Sequence, residues 1–422
     1  MSTAETSDTL SKIKIARNAP DGALKDYGTQ INMTQLRSYR LRRVQEEVRK
    51  RDYAGCILRD PINIRYATGS RNYQVWQMHF PARYAFVPAS GTAILFELFG
   101  TESVGTDLEG VGEVRPATAW LHLTAGPRID EKVKRWAADL AEVIQRCGGG
   151  KARVAIDKCD PLGVSALAVH GVTVCDDGQT LMDHARLLKS PEEIACMSVA
   201  ITVAETGIAR MREALRPGIT ENELWAILHH TNIANDGDFI DAKLLSSGGR
   251  TNPWWREATA KAVRAGELVA FDTDMVGPFG YEADISRTFH CGPGRPNQAQ
   301  KTLYKTAVEQ LHFNIELMRP GASFRDVTEK SWRVPPRYLK NQYYCIAHGI
   351  GMGGEFPHIY PKEAWDEAGF DGVIEENMCL CVESYIGEKG GIEGVKLEQQ
   401  VLIASDGPHF LSTFPFEDEL LA

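Results

Sequence analysis

The second half of the chain contains acidic residues whose spacing suits a metal site. Asp272 and Asp274 lie two residues apart in VAFDTDMVG, so on a strand both side chains would leave the same face. Asp284 follows beyond a glycine-containing turn, and a neighbouring strand could return it to the same place. Three carboxylates brought together repel one another and lose hydration, and a bound dication removes that conflict. Taken alone, the segment could also be a surface loop with solvated aspartates.

Three further residues of ligand type follow along the chain. His348 lies in CIAHGIGMGG, where an apolar run enters glycines that allow the backbone to approach a site closely. Glu383 and Glu398 interrupt the apolar runs MCLCVESY and VKLEQQVLI, and glutamates in such strands are rarely buried unpaired. A lone histidine is more often structural. Together, however, oxygen ligands with one imidazole suit Mn, Fe, Co or Zn, and a mainly carboxylate set suits a bridged pair of ions.

Helices and strands must position these side chains, and the sequence patterns that predict helices and strands differ between the first and second parts of the chain. In the first part, short apolar runs broken by Asp-Pro and Gly turns alternate with helical patterns, one of them near 130–146, which predicts an α/β domain. A boundary is expected near 176–190. Beyond it, Ser190 and Thr220 each have the pattern of a helix N-cap with a capping box. Strands are expected near 268–276, 281–284, 343–347, 380–385 and 395–403.

Composition excludes several classes of function. The 422 residues carry a formal net charge of -9, which opposes nucleic-acid binding because phosphate requires a basic face. No apolar run reaches the length of about 18 residues that a membrane span needs. Nine dispersed cysteines without a CxxC pair, in a chain whose residues 1–33 contain no apolar signal segment, indicate free thiols in a reducing cytoplasm.

The order D-x-D, D, H, E, E resembles metallopeptidase family M24, which includes methionine aminopeptidase, prolidase and aminopeptidase P. The likeness covers residues 190–405, and members of the family bind two divalent ions with these residue types. In the family, the first aspartate lies at a usual distance before the next one, and Asp272 and Asp274 lie on either side of that position. The first strand of this chain therefore differs from that of a peptidase. The pattern of helices and strands predicts an α+β protein with three parts, and the resemblance gives the type of the two domains. They are an N-terminal arm over 1–33, a creatinase/prolidase-type α/β domain over 34–187 and a pita-bread domain over 188–422.

Two histidines of the M24 peptidases have no counterpart in this sequence. One precedes the first aspartate, in a segment that reads SSGGRTNPWW here, and its position falls at Trp254 or Trp255. The other stands three residues before a proline, and counting back from Pro357 gives Gly354. Peptide hydrolysis needs groups that move protons and stabilise the oxyanion. The sequence therefore keeps the metal ligands of a peptidase without these two groups.

A second resemblance extends from residue 34 to the C-terminus. The segments YATGSRNYQVW, LLSSGGRTNPWW, FDTDMVG and TFPFEDELL look like the DddP-type dimethylsulfoniopropionate lyases, which have the M24 fold and are not peptidases. This resemblance implies two bound metal ions, with iron as the first choice and Mn, Zn or Co as alternatives. The implied ligands are Asp272, Asp274, Asp284, His348, Glu383 and Glu398.

The base of the DddP-type lyases has no counterpart here. The resemblance places an aspartate six residues after the metal-binding histidine, where it removes the α-proton of the substrate, and this position is Gly354. Glycine cannot accept a proton. Either Glu355 or Tyr343, which matches a tyrosine of that group, takes the role, or the substrate differs.

A substrate with a carboxylate and a sulfonium needs aromatic faces for its cation. The candidates for this contact are Tyr73 and Trp76 in YATGSRNYQVW, and Trp254 and Trp255 in RTNPWW. Ordinary core packing is the alternative role for each tryptophan.

Three interpretations follow. The first is a metal-dependent lyase that cleaves dimethylsulfoniopropionate, or a similar onium carboxylate, to dimethyl sulfide and acrylate by β-elimination. The second is a hydrolase of a C–N bond in an Xaa-Pro dipeptide or small amide, and the third is a non-catalytic M24 module that binds a partner. The retained ligand set argues against the third. The resemblance also implies a homodimer, while the net charge and the lack of a long apolar run predict no nucleic-acid or membrane partner.

Overall fold

A computed structural model describes residues 30–422 of the chain. Residues 1–29 of the predicted N-terminal arm lie outside the described residues. The chain divides into two compact units, Asn32–Arg186 and Leu187–Ala422.

The N-terminal unit is built on one six-stranded mixed sheet with the strand order β4-β3-β2-β1-β5-β6. Strands β1, β5 and β6 run parallel to one another, and β2 pairs antiparallel with both β1 and β3. The elements are α1 (Met33–Lys50), β1 (Gly55–Leu58), α2 (Pro61–Thr68), α3 (Gln74–His79), β2 (Tyr84–Pro88), β3 (Ala93–Glu97), β4 (Val111–Pro116), α4 (His122–Ala125), α5 (Ile129–Cys147), β5 (Arg153–Ile156), α6 (Pro161–Val169), β6 (Thr173–Cys175) and α7 (Gly178–Arg186).

The core of this unit lies between the sheet and α5. Trp136 on α5 is fully buried, and Tyr84 and Phe96 stack on neighbouring strands with ring centroids 4.4 Å apart. The helix predicted near 130–146 is confirmed, because its apolar positions recur at helical spacing and face this core.

A buried ion pair fixes the loop that precedes α3. Arg83 and Glu97 are both fully buried and bonded to each other. Glu97 also accepts hydrogen bonds from Ser70 Oγ and Asn72 Nδ2, each at 3.0 Å. These bonds anchor the segment leading to Tyr73, the N-cap of α3, which adopts a left-handed backbone conformation with φ of 47°.

The C-terminal unit contains three sheets, with strand orders β11-β10-β7, β12-β9-β8 and β14-β13-β15-β16-β17. Its elements are α8 (Pro191–Ala214), α9 (Glu221–Ala234), β7 (Phe239–Ile240), β8 (Leu245–Ser247), β9 (Leu268–Phe271), β10 (Met275–Val276), β11 (Glu282–Ala283), β12 (Arg287–His290), α10 (Gln298–Ile315), α11 (Phe324–Lys330), β13 (Ala347–Ile350), β14 (Gly354–Ile359), α12 (Trp365–Ala368), β15 (Cys379–Gly387), β16 (Gly394–Ala404), β17 (Gly407–Phe410) and α13 (Asp418–Leu421).

Helices α8 and α9 begin where the sequence predicted them. Ser190 and Thr220 each accept a hydrogen bond from the backbone three residues later, and Glu193 and Glu223 complete the two capping boxes. Within residues 30–422, α8 is the one helix long and apolar enough to cross a membrane. Because 67% of its most apolar stretch is buried inside the fold, it has the surroundings of a core helix.

The long hairpin of β15 and β16 is the centre of the main core. Every residue of both strands is buried, and they pack against α10 through Leu380, Val382 and Leu397. The strands predicted near 380–385 and 395–403 are therefore confirmed. The strand predicted over 343–347 is wrong for its first four residues, since β13 begins only at Ala347.

Candidate metal centre

The six predicted ligands converge where the three sheets of the C-terminal unit meet. Asp272 directly follows β9, Asp274 directly precedes β10 and Asp284 directly follows β11. The other three ligands, His348, Glu383 and Glu398, lie on the five-stranded sheet. Glu383 on β15 is the register partner of Glu398 on β16, so both side chains leave the same face of the hairpin. His348 on β13 pairs with Cys381 of β15.

Short distances connect these groups. His348 Nε2 lies 3.6 Å from Asp284 Oδ2, 3.6 Å from Glu383 Oε1 and 3.6 Å from Glu398 Oε1. Among the described residues, three sets have ligand atoms that all lie within 4.8 Å of one another. The sets are Asp284, His348, Cys381 and Glu398; Asp272, Glu383 and Glu398; and Asp272, Asp274 and Asp284.

Asp272 and Asp274 reach the site in a way that the sequence did not predict. The strand expected over 268–276 is interrupted, because β9 ends at Phe271 and β10 begins at Met275. Asp274 lies in this break with a positive φ of 36°. The two aspartates therefore do not share one face of a continuous strand, and a kink in the backbone brings them together.

The glycines after His348 allow the loop to fold tightly beside the site. The register between β13 and β14 shifts between His348 and Gly349. A Cβ atom at Gly349 would lie less than 3.0 Å from the carbonyl oxygen of Phe356, and one at Gly351 would meet the Glu355 carboxylate equally closely. A side chain at Gly349 would therefore push the Phe356 backbone away, and one at Gly351 would displace the Glu355 carboxylate.

Burial and mutual repulsion set the protonation of the carboxyl groups. Burial, followed by the charge of Glu398, raises the pKa of Asp284 well above its usual range, and burial with Asp272 does the same for Asp274. Burial and the neighbouring Asp241 raise the pKa of Glu282 to about 8. Positive charge is needed to keep such a cluster ionised.

The residues present fit bound metal ions. Asp274 Oδ2, Asp284 Oδ1 and Glu398 Oε1 are buried and have no hydrogen-bond partner within the described part of the chain. His348 Nδ1 lies 3.0 Å from the carbonyl oxygen of Gly349, which can only accept, so Nδ1 carries the proton and Nε2 is left as a ligand atom. Free carboxylate oxygens with one such imidazole are the donor set of Mn, Fe, Co or Zn.

The two candidate bases have different surroundings. Glu355 on β14 is buried, pairs with Lys189 Nζ at 2.7 Å and accepts the backbone N–H of Met352 at 3.0 Å. Tyr343 is buried beside the cluster, and burial followed by the charges of Glu383 and Asp272 raises the pKa of its phenol far above the usual value.

The predicted aromatic residues separate into two groups. Trp254 is buried, whereas Trp255 is 55% exposed and stacks on Tyr343, with ring centroids 5.2 Å apart. Tyr73 and Trp76 belong to the N-terminal unit, where their rings meet edge to face at 6.4 Å, and their contact with substrate stays a prediction.

Sequence reasoning missed three polar residues near the cluster. Lys396 and Glu282 each lie two residues before a predicted ligand, Glu398 and Asp284. That spacing could have identified them, because alternate strand residues share a face. His358 is the register partner of His348, with ring centroids 5.7 Å apart, and only the pairing of β13 with β14 reveals it.

This arrangement of fold and site is that of a known family. The model of metallopeptidase family M24 matches residues 195–405, and the chain belongs to this family. Among curated relatives, the dimethylsulfoniopropionate lyase DddP of Roseovarius nubinhibens is 34% identical over 92% of this chain and 88% of its own. The Xaa-Pro dipeptidase of Pyrococcus furiosus is 27% identical over 53% of this chain and 62% of its own.

Solved structures show the same fold at low sequence identity. An Xaa-Pro dipeptidase from Bacillus anthracis superposes with a TM-score of 0.69 at 20% identity, covering 90% of this chain and 98% of its own. An X-Pro aminopeptidase from Thermotoga maritima gives 0.70 at 17% identity, covering 89% and 98%. The predicted α+β fold, with its creatinase-like and pita-bread parts, is therefore confirmed.

Removing a ligand should empty the centre. We expect Asp284→Ala and His348→Ala to lower metal affinity by more than about 100-fold, since loss of groups that only orient ligands already costs 10–100-fold. Elemental analysis after gel filtration in chelator-free buffer measures this loss. His409→Ala is the matched control and should keep its metal, because His409 lies on β17 and pairs with Asp406. Wild-type protein that carries no metal and takes up neither Fe, Mn, Zn nor Co would refute the assignment.

Proposed function

We propose that this enzyme cleaves dimethylsulfoniopropionate, or a closely similar onium carboxylate, to dimethyl sulfide and acrylate. The likeness to DddP over 92% of the chain supports this assignment. It extends over more of the chain than the likeness to the dipeptidase of P. furiosus, which stops at 53%.

The observation that carries the proposal is the aromatic lining of the carboxylate cluster. Lys396 Nζ lies 4.7 Å from the ring centroid of Tyr343 and 6.0 Å from that of Trp254. Two aromatic rings thus already lie beside a cation, and one of them, Trp254, belongs to the segment where the M24 peptidases have a histidine. Trp255, stacked on Tyr343, extends this surface toward solvent. A sulfonium is the kind of cation that such faces bind.

We propose that the six ligand residues hold two divalent ions, with iron as the first choice. When bound, these ions would supply the positive charge that holds the substrate carboxylate and stabilises negative charge on the carbon beside it. The ligands are Asp272, Asp274, Asp284, His348, Glu383 and Glu398.

The elimination needs one base and a leaving group. The base takes a proton from the carbon next to the carboxylate, and the electrons of that C–H bond form the new C=C bond. The bond from the β-carbon to sulfur breaks at the same time, and its electron pair stays on sulfur. The products are neutral dimethyl sulfide, acrylate and the protonated base, so charge and atoms balance.

Tyr343 is the proposed base. Its ring is in contact with the aromatic surface and its phenol is influenced by three of the ligand carboxylates. Their negative charge raises the pKa of the phenol, and cations bound among them act in the opposite direction. Glu355 is the weaker candidate, because its carboxylate is engaged by Lys189 and by the Met352 backbone.

Tyr73 and Trp76 are proposed as further contacts for the sulfonium. Tyr73 is 67% exposed, so its ring face is accessible, and the buried Glu97 network anchors the loop that precedes it. The proposal for these two residues rests on exposure and on residue type.

Tyr343→Phe should reduce release of dimethyl sulfide at least about 100-fold, the lower range for loss of a general base, and should leave metal content unchanged. Headspace gas chromatography measures the product. Tyr344→Phe is the matched control, since this neighbouring phenol is 41% exposed and is expected to be dispensable. Because a phenol accepts a proton only when ionised, wild-type turnover should increase with pH. Full activity of Tyr343→Phe would exclude Tyr343 as the base.

Gly354→Asp should increase dimethyl sulfide release by roughly tenfold or more, because it adds a carboxylate base where the DddP-type lyases have one. A Cβ atom at Gly354 meets no described atom within 4 Å, so the side chain can be accommodated. Gly354→Asn adds the same volume without a base and should not increase the rate.

Cleavage of Xaa-Pro dipeptides by wild type and by Gly354→Asp tests the alternative interpretation, that the protein is a hydrolase. If neither wild type nor Gly354→Asp releases dimethyl sulfide while the metal-loaded wild type cleaves Xaa-Pro, the hydrolase interpretation replaces the lyase.

We also propose that the enzyme is a cytoplasmic homodimer. All nine cysteines lie in the described part of the chain and are free thiols, as a reducing compartment allows. Exposed apolar side chains at Tyr73, Val75 and Phe80 provide surface for association. Light scattering at micromolar concentration should give about twice the chain mass of 46.8 kDa. A mass of one chain would contradict the dimer.

A further inference from the structure

Lys396 places a positive charge inside the carboxylate cluster. It lies on β16, two residues before Glu398, and its side chain is fully buried. Its ammonium nitrogen is 2.6 Å from Glu383 Oε2, 3.0 Å from Asp272 Oδ2 and 3.2 Å from Glu398 Oε2. It also donates to Ser286 Oγ at 2.6 Å. One cation therefore contacts all three residues of one candidate metal-binding set.

The two sides of the cluster differ in how their oxygens are satisfied. On the Lys396 side, Asp272 uses both oxygens, since Ser286 Oγ donates to Oδ1 at 2.7 Å. On the His348 side, Asp284 Oδ1 and Glu398 Oε1 are buried without a hydrogen-bond partner in the described residues. Each glutamate spans both sides: Oε2 of Glu383 and Glu398 faces Lys396, and Oε1 faces His348 Nε2 at 3.6 Å.

We propose that Lys396 is a built-in cation that competes with the second metal ion for Asp272, Glu383 and Glu398. The centre then binds one divalent ion tightly on the His348 side and a second ion weakly on the Lys396 side. The reason is electrostatic: a dication on the second side must displace or approach a fixed positive charge in a site of low dielectric constant. This inference rests on the proposed metal centre and does not depend on the substrate.

Lysine also gives the metal-free protein a compensating charge. Without it, Asp272, Glu383 and Glu398 would be buried together and would lose the one ammonium, among residues 30–422, that contacts all three. Loss of one partner from a buried ion pair is strongly destabilising, because the remaining charge is uncompensated. The metal-free fold should therefore depend on Lys396 more than the metal-loaded fold does.

The test measures two dissociation constants for Mn²⁺ on the full chain, by competition with a chelator after metal removal. Wild type should show two constants separated by at least about 100-fold, and Lys396→Met should tighten the weaker one by at least about tenfold, because the competing charge is gone. Lys396→Arg keeps the charge and should keep the separation. Melting temperatures should show a larger rise on adding Mn²⁺ for Lys396→Met than for wild type.

Several results would overturn the proposal. Two equal constants in wild type would do so, and so would weaker binding of the second ion by Lys396→Met, which would show that the lysine only orients the ligands. If Lys396→Met does not fold without metal, Lys396→Gln or Mn²⁺-loaded Lys396→Met is used, and release of each ion into chelator is followed. Slower release of the second ion supports competition, and faster release refutes it. A wild type that binds no ion refutes the metal centre itself.

Discussion

The rest of the structure depends on how five carboxylates are kept together in the interior. Their ligand atoms, with one imidazole, lie in overlapping sets within 4.8 Å. Buried carboxylates of this density cannot all be ionised unless positive charge is supplied. The raised pKa values of Asp274 and Asp284 are the direct consequence of that constraint. The buried ammonium of Lys396 supplies part of this charge. Carboxylate oxygens of Asp274, Asp284 and Glu398 have no hydrogen-bond partner in the described residues, as a metal site would require.

The long β15–β16 hairpin fixes the positions of two of these carboxylates. Glu383 and Glu398 face each other across it while their neighbours along each strand fill the main core. Two other candidate ligands come from less regular backbone: Asp274 lies in a break between strands, and the strand register shifts directly after His348. A rigid hairpin thus supplies the fixed part of the centre, and strained or glycine-rich segments supply the close approach.

Relatives within and around family M24 carry out different chemistry, since this chain resembles both a lyase and a dipeptidase. Solved peptidases share the fold with this chain at 17–20% identity, so the fold alone does not decide the reaction. The groups around the ligands differ instead. The resemblance places Trp254 or Trp255 at the position of one peptidase histidine and Gly354 at the position of the second. Without these proton-moving groups, and with aromatic faces beside the cluster, the centre is better suited to an onium substrate than to a peptide.

The sequence by itself determined the family, the order of the candidate ligands and the starts of α8 and α9, because ligand types, capping boxes and strand periodicity are local signals. It could not determine the break at Asp274 or the start of β13 at Ala347, where tertiary contacts override local propensity. The contact of His358 with His348 depends on strand register, which links residues ten positions apart. The contact of Lys396 with three carboxylates was decided only by the tertiary structure, since it needs β9, β15 and β16 to meet at one point.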